Sequence, residues 1–334
     1  MNPWYSVLIS LFIVIGLVLI ALIGVGSIGL NSLFGVYIPY IAFAAFIIGF
    51  IWRVVEWARV PVPFKIPTTG GQGKSLPWMK HEKLDSPFTT GQVIVRMFLE
   101  IFLFRSLFRN LKGELRGGPR LTFASAKWLW LFGILFHYSF LTIVLRHLRF
   151  FTEPVPQWVQ LITNLDGFFE ILVPTFFLTD AAFLLAATLL FLRRVVIPQL
   201  RYISLPNDYF PLLLILGIGI SGVLMRQVFH VDLEKVKELT IGLAAFSPSV
   251  PKELGSIFYI HLFLVSVLAA YLPWSKIMHA AGVFMSPTRN MANNNRAVRH
   301  INPWNYPVKV HTYEEYEDDF REKMKEVGLP VDKE

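Results

Sequence analysis

The sequence predicts an all-α integral membrane protein: a bundle of six transmembrane helices, with one further amphipathic helix lying at the membrane interface. Three observations carry that expectation. The 334 residues are 54% hydrophobic and only 16% charged, with a mean hydropathy of +0.52, whereas soluble domains hold ~45–50% apolar and ~25% charged residues. The apolar residues gather in runs of about 20, long enough to cross a ~30 Å hydrocarbon core, which a soluble helical protein does not accommodate. Abundant Phe and Trp, 30 and 9 residues, suit lipid-facing surfaces and interfacial belts.

The six spans lie near residues 5–26, 33–52, 128–148, 168–192, 209–229 and 256–278. The first opens with MNPWYSVLIS, which lacks a basic leader region, and its apolar stretch exceeds that of a signal peptide. It is expected to be an uncleaved helix over residues 1–29. Residues 30–285 form the main domain, and 286–334 a polar tail containing one surface helix around HTYEEYEDDFREKMKEVG.

Orientation follows from basic residues in the loops. The connection from Arg53 to Lys127 holds 13 Lys/Arg against 5 Asp/Glu, the short loop after span four carries Arg193, Arg194 and Arg201, and the chain from Lys276 onward carries nine Lys/Arg. The intervening loops, 150–167 and 230–255, hold none and three. All basic segments therefore share one side, and both termini are expected in the cytoplasm of a protein spanning the cytoplasmic membrane. The net charge of +8 is this bias, and it predicts a lipid bilayer rather than nucleic acid as the surroundings. Within the long loop, residues 90–112 set Arg96, Glu100, Arg105 and Arg109 among Phe, Leu and Ile, the pattern of an interfacial helix. The upstream VPVPFKIPTTGGQGKSLP reads as a linker. Internal repeats and phosphate-binding glycine motifs are absent from the sequence.

Chemistry enters with histidine. FHYSFLTIVLRH (136–147) carries His137 and His147, and IHLFLVSVLAAYLPWSKIMH (260–279) carries His261 and His279. Ionisable groups in apolar spans are costly and call for a partner. The two helices run in opposite directions, so His137 and His279 fall at the inner depth, His147 and His261 at the outer. One imidazole from each side at each depth suits two bis-histidine haems. Ten residues on a helix separate His137 from His147 by ~15 Å, whereas eighteen would separate His261 from His279 by ~27 Å on one face. The two separations disagree by ~12 Å, of which mutual tilt of helices and ring planes would absorb ~6 Å at each haem, and Pro273 is a place for helix six to bend between its ligands. The absence of cysteine excludes disulfides, Cys-ligated iron–sulfur clusters and covalent c-type haem. His81, His230, His300 and His311 are expected at the surface.

The H-x9-H helix followed two helices later by H-x17-H resembles the di-haem cytochrome b membrane subunit of respiratory nitrate reductase, the gamma-subunit family. That family has five helices, and this chain adds one at its N-terminus. The added helix, the basic loop and SPFTTGQVIVRMFLEIFLFRSLFRN (86–110) are more similar to the DsrM family. These are the membrane cytochromes b of the sulfite-reduction-associated DsrMKJOP complex, related to the membrane subunit of heterodisulfide reductase. The resemblance covers residues 30–285. It implies that His137/His279 and His147/His261 ligate an inner and an outer haem b. It further implies that menaquinol is oxidised near the outer haem, and that electrons leave from the inner haem to a cytoplasmic DsrK- or HdrD-like iron–sulfur subunit.

A base near the outer haem would take the quinol protons, and Asp166 and Glu170, at the expected outer start of span four, are the candidates. The lysine that the nitrate reductase family uses in this region has no counterpart here. Arg146, Arg149 and Arg226, at outer helix ends, are candidates for pairing with haem propionates, or they snorkel. Asp180, expected deep in span four, belongs either to a hydrogen bond within the bundle or to a proton path. Two other readings stay open: the same haems serving a nitrate reductase or heterodisulfide reductase, and a proton-coupled transporter using the intramembrane His and Asp. The transporter reading predicts inverted repeats, which the sequence lacks.

Overall fold

Small residues set the closest helix contacts. α1 (Trp4–Gly26) buries Ser6, Ser10, Val14, Ala21 and Gly24 along one side, a small-residue stripe of the kind that lets membrane helices approach. Ser10 Oγ lies 2.8 Å from Ser6 O and 3.0 Å from Pro206 O, tying α1 to the start of a later helix. The computed structural model describes residues 4–60, 73–74, 76–109, 112–118, 120–168, 173–294, 297 and 310–333. After α1 a π-helical turn, Leu33–Tyr37, leads into α2 (Ile38–Ala58). Phe34 from that turn packs so tightly on Gly24 that a Cβ there would lie 2.5 Å from its ring.

The expected interfacial helix is α3 (Thr90–Leu103), whose N-cap Thr89 accepts a hydrogen bond from Gln92 N. Phe104, in the left-handed region at φ 49°, ends it, and α4 (Arg105–Phe108) follows at once. Its charged side faces inward, with Arg96 and Glu100 buried, while Ile94, Val95, Phe98 and Phe102 face outward. The all-α expectation misses one feature, an antiparallel hairpin of β1 (Lys112–Arg116) and β2 (Arg120–Ala124). Gly117 and Gly118, at φ 55° and 98°, make its turn.

α5 (Lys127–His147) is unbroken and continues into a 3-10 turn, Leu148–Phe150. α6 (Gln157–Asp166) is a short outer helix. The helix expected over 168–192 begins only at Leu178, as α7 (Leu178–Val196). Pro174 is the physical reason: it supplies no N–H and disfavours a helical residue before it. Asp166 therefore closes α6 instead of opening span four, and Asp180 sits in the first turn of α7 rather than deep within it. Glu170 lies outside the described residues.

α8 (Pro198–Ile203) and α9 (Pro206–Gln227) follow. Asp208 accepts a bond from Leu205 N at 3.0 Å and so caps α9. An outer helix, α10 (Leu233–Ala244), is capped by Asp232. α11 (Ser256–Tyr271) is shorter than the expected 256–278. Pro273, in a 3-10 turn over Leu272–Trp274, ends it, Ser275 is extended (φ −113°, ψ 171°), and a second 3-10 turn, Lys276–Met278, precedes α12 (His279–Met285). The ~27 Å of an unbroken helix does not apply, because α11 and α12 are separate. α13 (Pro287–Asn290) and α14 (Tyr313–Glu326), with its Thr312–Glu315 capping box, complete the described chain.

Among the described residues, five helical segments are long and apolar enough to cross a membrane: Trp4–Gly26, Leu33–Ala58, Lys127–Phe150, Pro206–Gln227 and Ser256–Trp274. α7 lies between α5 and α9 and packs on both; it carries Asp180, Arg193 and Arg194, which lower its apolar character. The core joins α1, α9, α10 and α11 through Val14, Leu214, Leu239, Tyr259 and Leu264. On the outside, Phe12, Ile41 and Ile48 are 67–68% exposed. Each such side chain would cost about 1.5–3 kcal/mol left in water rather than apolar surroundings, so these faces fit lipid.

Candidate functional site: two histidine pairs

The structure brings the four histidines of the two apolar runs together two by two. His137 of α5 faces His279 at the start of α12, with ring centroids 5.9 Å apart and planes at 78°. His147, at the end of α5, faces His261 of α11 at 6.4 Å and 13°. Along unbroken α5 the two sites are ~15 Å apart.

Hydrogen bonds fix the tautomer of each ring. Nδ1 lies 2.7 Å from Gly133 O in His137, 2.7 Å from Ile143 O in His147, and 2.9 Å from Lys276 O in His279. A carbonyl only accepts, so in each case Nδ1 carries the hydrogen. His261 Nδ1 lies 2.9 Å from Ser221 Oγ, whose own hydrogen is directed to Ile218 O at 2.9 Å. Ser221 thus accepts from His261 as well. All four Nε2 atoms keep a lone pair, the form in which a ligating histidine is held by its outer partners.

That donor set fits a porphyrin iron. A metal bonded to two imidazole nitrogens at ~2.0–2.1 Å each places the ring centroids about 6 Å apart, as in both pairs. Among the described residues no three His, Cys, Asp or Glu converge as a bare-ion site would require. Two axial ligands suffice when a macrocycle supplies the rest.

The surroundings of the two pairs differ. At the inner pair, Phe104 and Phe136 set their rings edge-on to His137, with centroids at 4.9 and 5.2 Å. The end of α3 is pinned to α5 there, because Trp130 Nε1 donates to Leu103 O at 2.7 Å and Tyr138 Oη to Phe102 O at 2.9 Å. At the outer pair, a Cβ on Gly222 would lie 3.4 Å from His261 Cε1, so α9 backbone presses directly on that ring.

Beside the outer pair lies a buried ionic cluster. Arg146 contacts Asp180 through Nη2, and its Nε lies 3.0 Å from Asp166 Oδ2. Asp166 also receives Thr179 N at 2.9 Å and Thr179 Oγ1 at 2.6 Å, so both of its oxygens are committed. Asp180 commits Oδ1 to Arg146. The guanidinium carbons of Arg146 and Arg226 lie 3.8 and 4.3 Å from the Phe177 ring centroid. Arg226 Nε donates to Thr175 O at 2.9 Å, which holds the loop before α7. Arg149 rests over Phe150 at 4.8 Å and makes no ion pair among the described residues. Of the three arginines, Arg146 thus spends its charge within the protein.

Residues 118–300 match the family of the nitrate reductase gamma subunit. The chain belongs to that family. It is 49% identical over 282 residues to the Hdr-like menaquinol oxidoreductase cytochrome b-like subunit of Archaeoglobus fulgidus, covering 82% of this chain and 84% of that protein. It is 45% identical over 274 residues to the protein of the same name in Archaeoglobus profundus, covering 80% and 81%. Family membership and the five apolar helices together mark a multi-pass membrane protein. Sequence reasoning missed Ser221, Gly222, Phe104 and Asp208 as site-building residues. A local signal existed only for the acceptors of His137 and His147, the carbonyls of Gly133 and Ile143 four residues earlier on the same helix.

Proposed function

We propose that this protein is a di-haem b membrane subunit that oxidises menaquinol at its outer side. The electrons pass inward to a cytoplasmic iron–sulfur partner of the DsrK or HdrD type, within a complex of the DsrMKJOP kind serving dissimilatory sulfur metabolism. In this reading the chain crosses the cytoplasmic membrane six times, α7 being the sixth span, with both termini inside. The observation that carries it is the pairing of four histidines, each with Nδ1 donating and Nε2 free to ligate.

Haem b held between such imidazoles supplies a reversible one-electron couple. His147 and His261 would hold the outer group, His137 and His279 the inner. Gly133, Ile143, Lys276 and Ser221 keep the four rings in the ligating tautomer. Arg149 and Arg226 are the outer cations available to propionates. Oxidation of a quinol yields a quinone, two electrons and two protons. Asp180 is the group suited to receive a proton, because Oδ2 is uncommitted among the described residues while Oδ1 is fixed by Arg146. Asp166, candidate base by position, instead anchors Arg146 and the first turn of α7. The cysteine-free chain relays electrons and hands them to another subunit's clusters.

The test is a dithionite-reduced-minus-oxidised spectrum of the purified protein with haem counted per chain, followed by reduction with menaquinol. Two b haems reduced by menaquinol are expected. A well-folded preparation without haem would sink the reading.

A further inference from the structure

The inner ligand His279 does not sit on a transmembrane helix, and something else must place it. α11 stops at Tyr271, and His279 is an exposed residue at the start of a seven-residue helix. Its segment is tied at both ends by ion pairs to distant parts of the chain. Upstream, Lys276 Nζ lies 2.6 Å from Oδ1 of buried Asp208, the cap of α9, and the Lys276 carbonyl is the atom that accepts from His279 Nδ1. Downstream, Arg289 Nη1 lies 3.0 Å from Oε2 of Glu100 on α3. Glu100 is buried and also receives Ser106 N at 3.1 Å. α3 in turn is pinned to α5 beside His137 through Trp130 and Tyr138.

We infer that the Asp208–Lys276 and Glu100–Arg289 pairs are positioning devices that set His279 against His137. Together they form a polar clasp through which α9, by Asp208, and the juxtamembrane helix α3, by Glu100, act on the segment that carries His279. The inference rests on the haem reading for its consequence but not for its geometry. Both carboxylates are buried while their cations are partly exposed, and Arg194 also lies 3.8 Å from Asp208 Oδ1, so the Glu100–Arg289 pair is the costlier of the two to open. Any partner that pulls on α3 therefore acts on the segment that carries His279, whereas His147 and His261 stand on the continuous helices α5 and α11.

The outer site is the internal control in the test. In Glu100→Gln and in Asp208→Asn, the low-spin resonance and potential of the inner haem should shift or be lost while those of the outer stay. Glu100→Asp, which keeps the charge and the acceptor, should retain more of the inner signal than Glu100→Gln. Unchanged inner signals in both Glu100→Gln and Asp208→Asn would overturn the inference and leave the haem reading intact. If Glu100→Gln loses both haems, Arg289→Lys decides: a change confined to the inner signal supports the clasp, and equal change in both overturns it.

A second readout needs no haem. The natural chain has no cysteine, so His137→Cys/His279→Cys can be bridged by a short bis-thiosulfonate without background. Adding Glu100→Gln should slow that bridging by about fivefold, the change that ~1 kcal/mol produces. An unchanged rate would overturn the inference even if the wild-type protein bound no haem.

Discussion

The outer and inner histidine pairs share a distance and a tautomer but are built by different means. The outer rings stand on two continuous helices, wedged by Gly222 and held by Ser221, beside an ionic cluster closed on itself. The inner pair has one ring on α5 and the other beyond a helix break, held by side chains that reach from α3 and α9. The outer pair inherits the stiffness of close-packed helices. The inner pair depends on ion pairs that a docking partner or a single substitution can alter. In the proposed function, that difference would make a relay with a fixed entrance and an adjustable exit.

Removing a ligand should give the largest effect and test whether the sites are separable. His147→Ala and His261→Ala should each abolish the outer haem, lower menaquinol oxidation at least ~100-fold, beyond the 10–100-fold typical of outer-partner mutations, and leave the inner haem in place. His137→Ala and His279→Ala should do the reverse to the haems. Haem counting with difference spectra reads this, and loss of both haems in every variant would deny two independent sites.

The cluster beside the outer pair comes next. Asp180→Asn should slow menaquinol oxidation by about 10²-fold, a typical contribution of a positioned base, with both haem spectra intact. Asp166→Asn should act on stability instead, by about 1–3 kcal/mol, because it removes one of the two carboxylates on Arg146 and weakens the acceptor of Thr179. Equal kinetic effects from the two would mean that the division of labour between these carboxylates is wrong.

Smaller changes sharpen the contrast. Ser221→Ala removes the acceptor that fixes the His261 tautomer, and outer-haem affinity should fall about 10-fold. Haem-release rates measure it, with the inner haem as reference. Gly49 touches the break itself: a Cβ there would lie 2.9 Å from Pro273 Cβ and 3.2 Å from Trp274 Cζ2. Gly49→Leu should cost about 1–3 kcal/mol by overpacking and disturb the inner haem spectrum alone. A disturbance of the outer spectrum would show that the break does not isolate the two sites.

The smallest effect concerns pH. Asp85 pairs with Arg105 and lies 3.6 Å from Arg109, and its hydrogen bond to Arg105 holds its carboxyl below the ordinary carboxylate range despite partial burial. A folded pKa below the unfolded one means that this stabilisation is complete above ~pH 4 and fades as pH falls through the folded value. Thermal unfolding between pH 3 and 5, both ends set about the ordinary carboxylate pKa, should lose part of its acid slope in Asp85→Asn. An identical slope would remove Asp85 from the account of how α3 is anchored.

Much of this architecture was legible in hydropathy. The apolar runs that mark α1, α2, α5, α9 and α11 are local properties, and so is the amphipathic pattern of α3, although that its charged residues Arg96 and Glu100 face inward is a result of the fold. The helix ends were less legible. Pro174 and Pro273 were visible as residues, but whether a proline kinks a helix or ends it depends on what covers the freed carbonyls, which lies elsewhere in the chain. From those two stops came the misplacement of Asp166 and Asp180 and the overlong helix carrying His261 and His279.

Composition and spacing alone determined that the chain is membrane-embedded, that its 334 residues contain no cysteine, and that four histidines lie in two apolar runs. These are properties of residues taken a few at a time. Tertiary structure decided which carboxylate holds Arg146 and which keeps an oxygen uncommitted, which nitrogen of each ring carries its hydrogen, and that His279 is placed from α3 and α9 rather than by its own helix. The physical reason is range: hydropathy acts over one helix turn or one span, whereas an ion pair or a hydrogen bond joins groups such as Glu100 and Arg289 that only the fold brings within 3.0 Å.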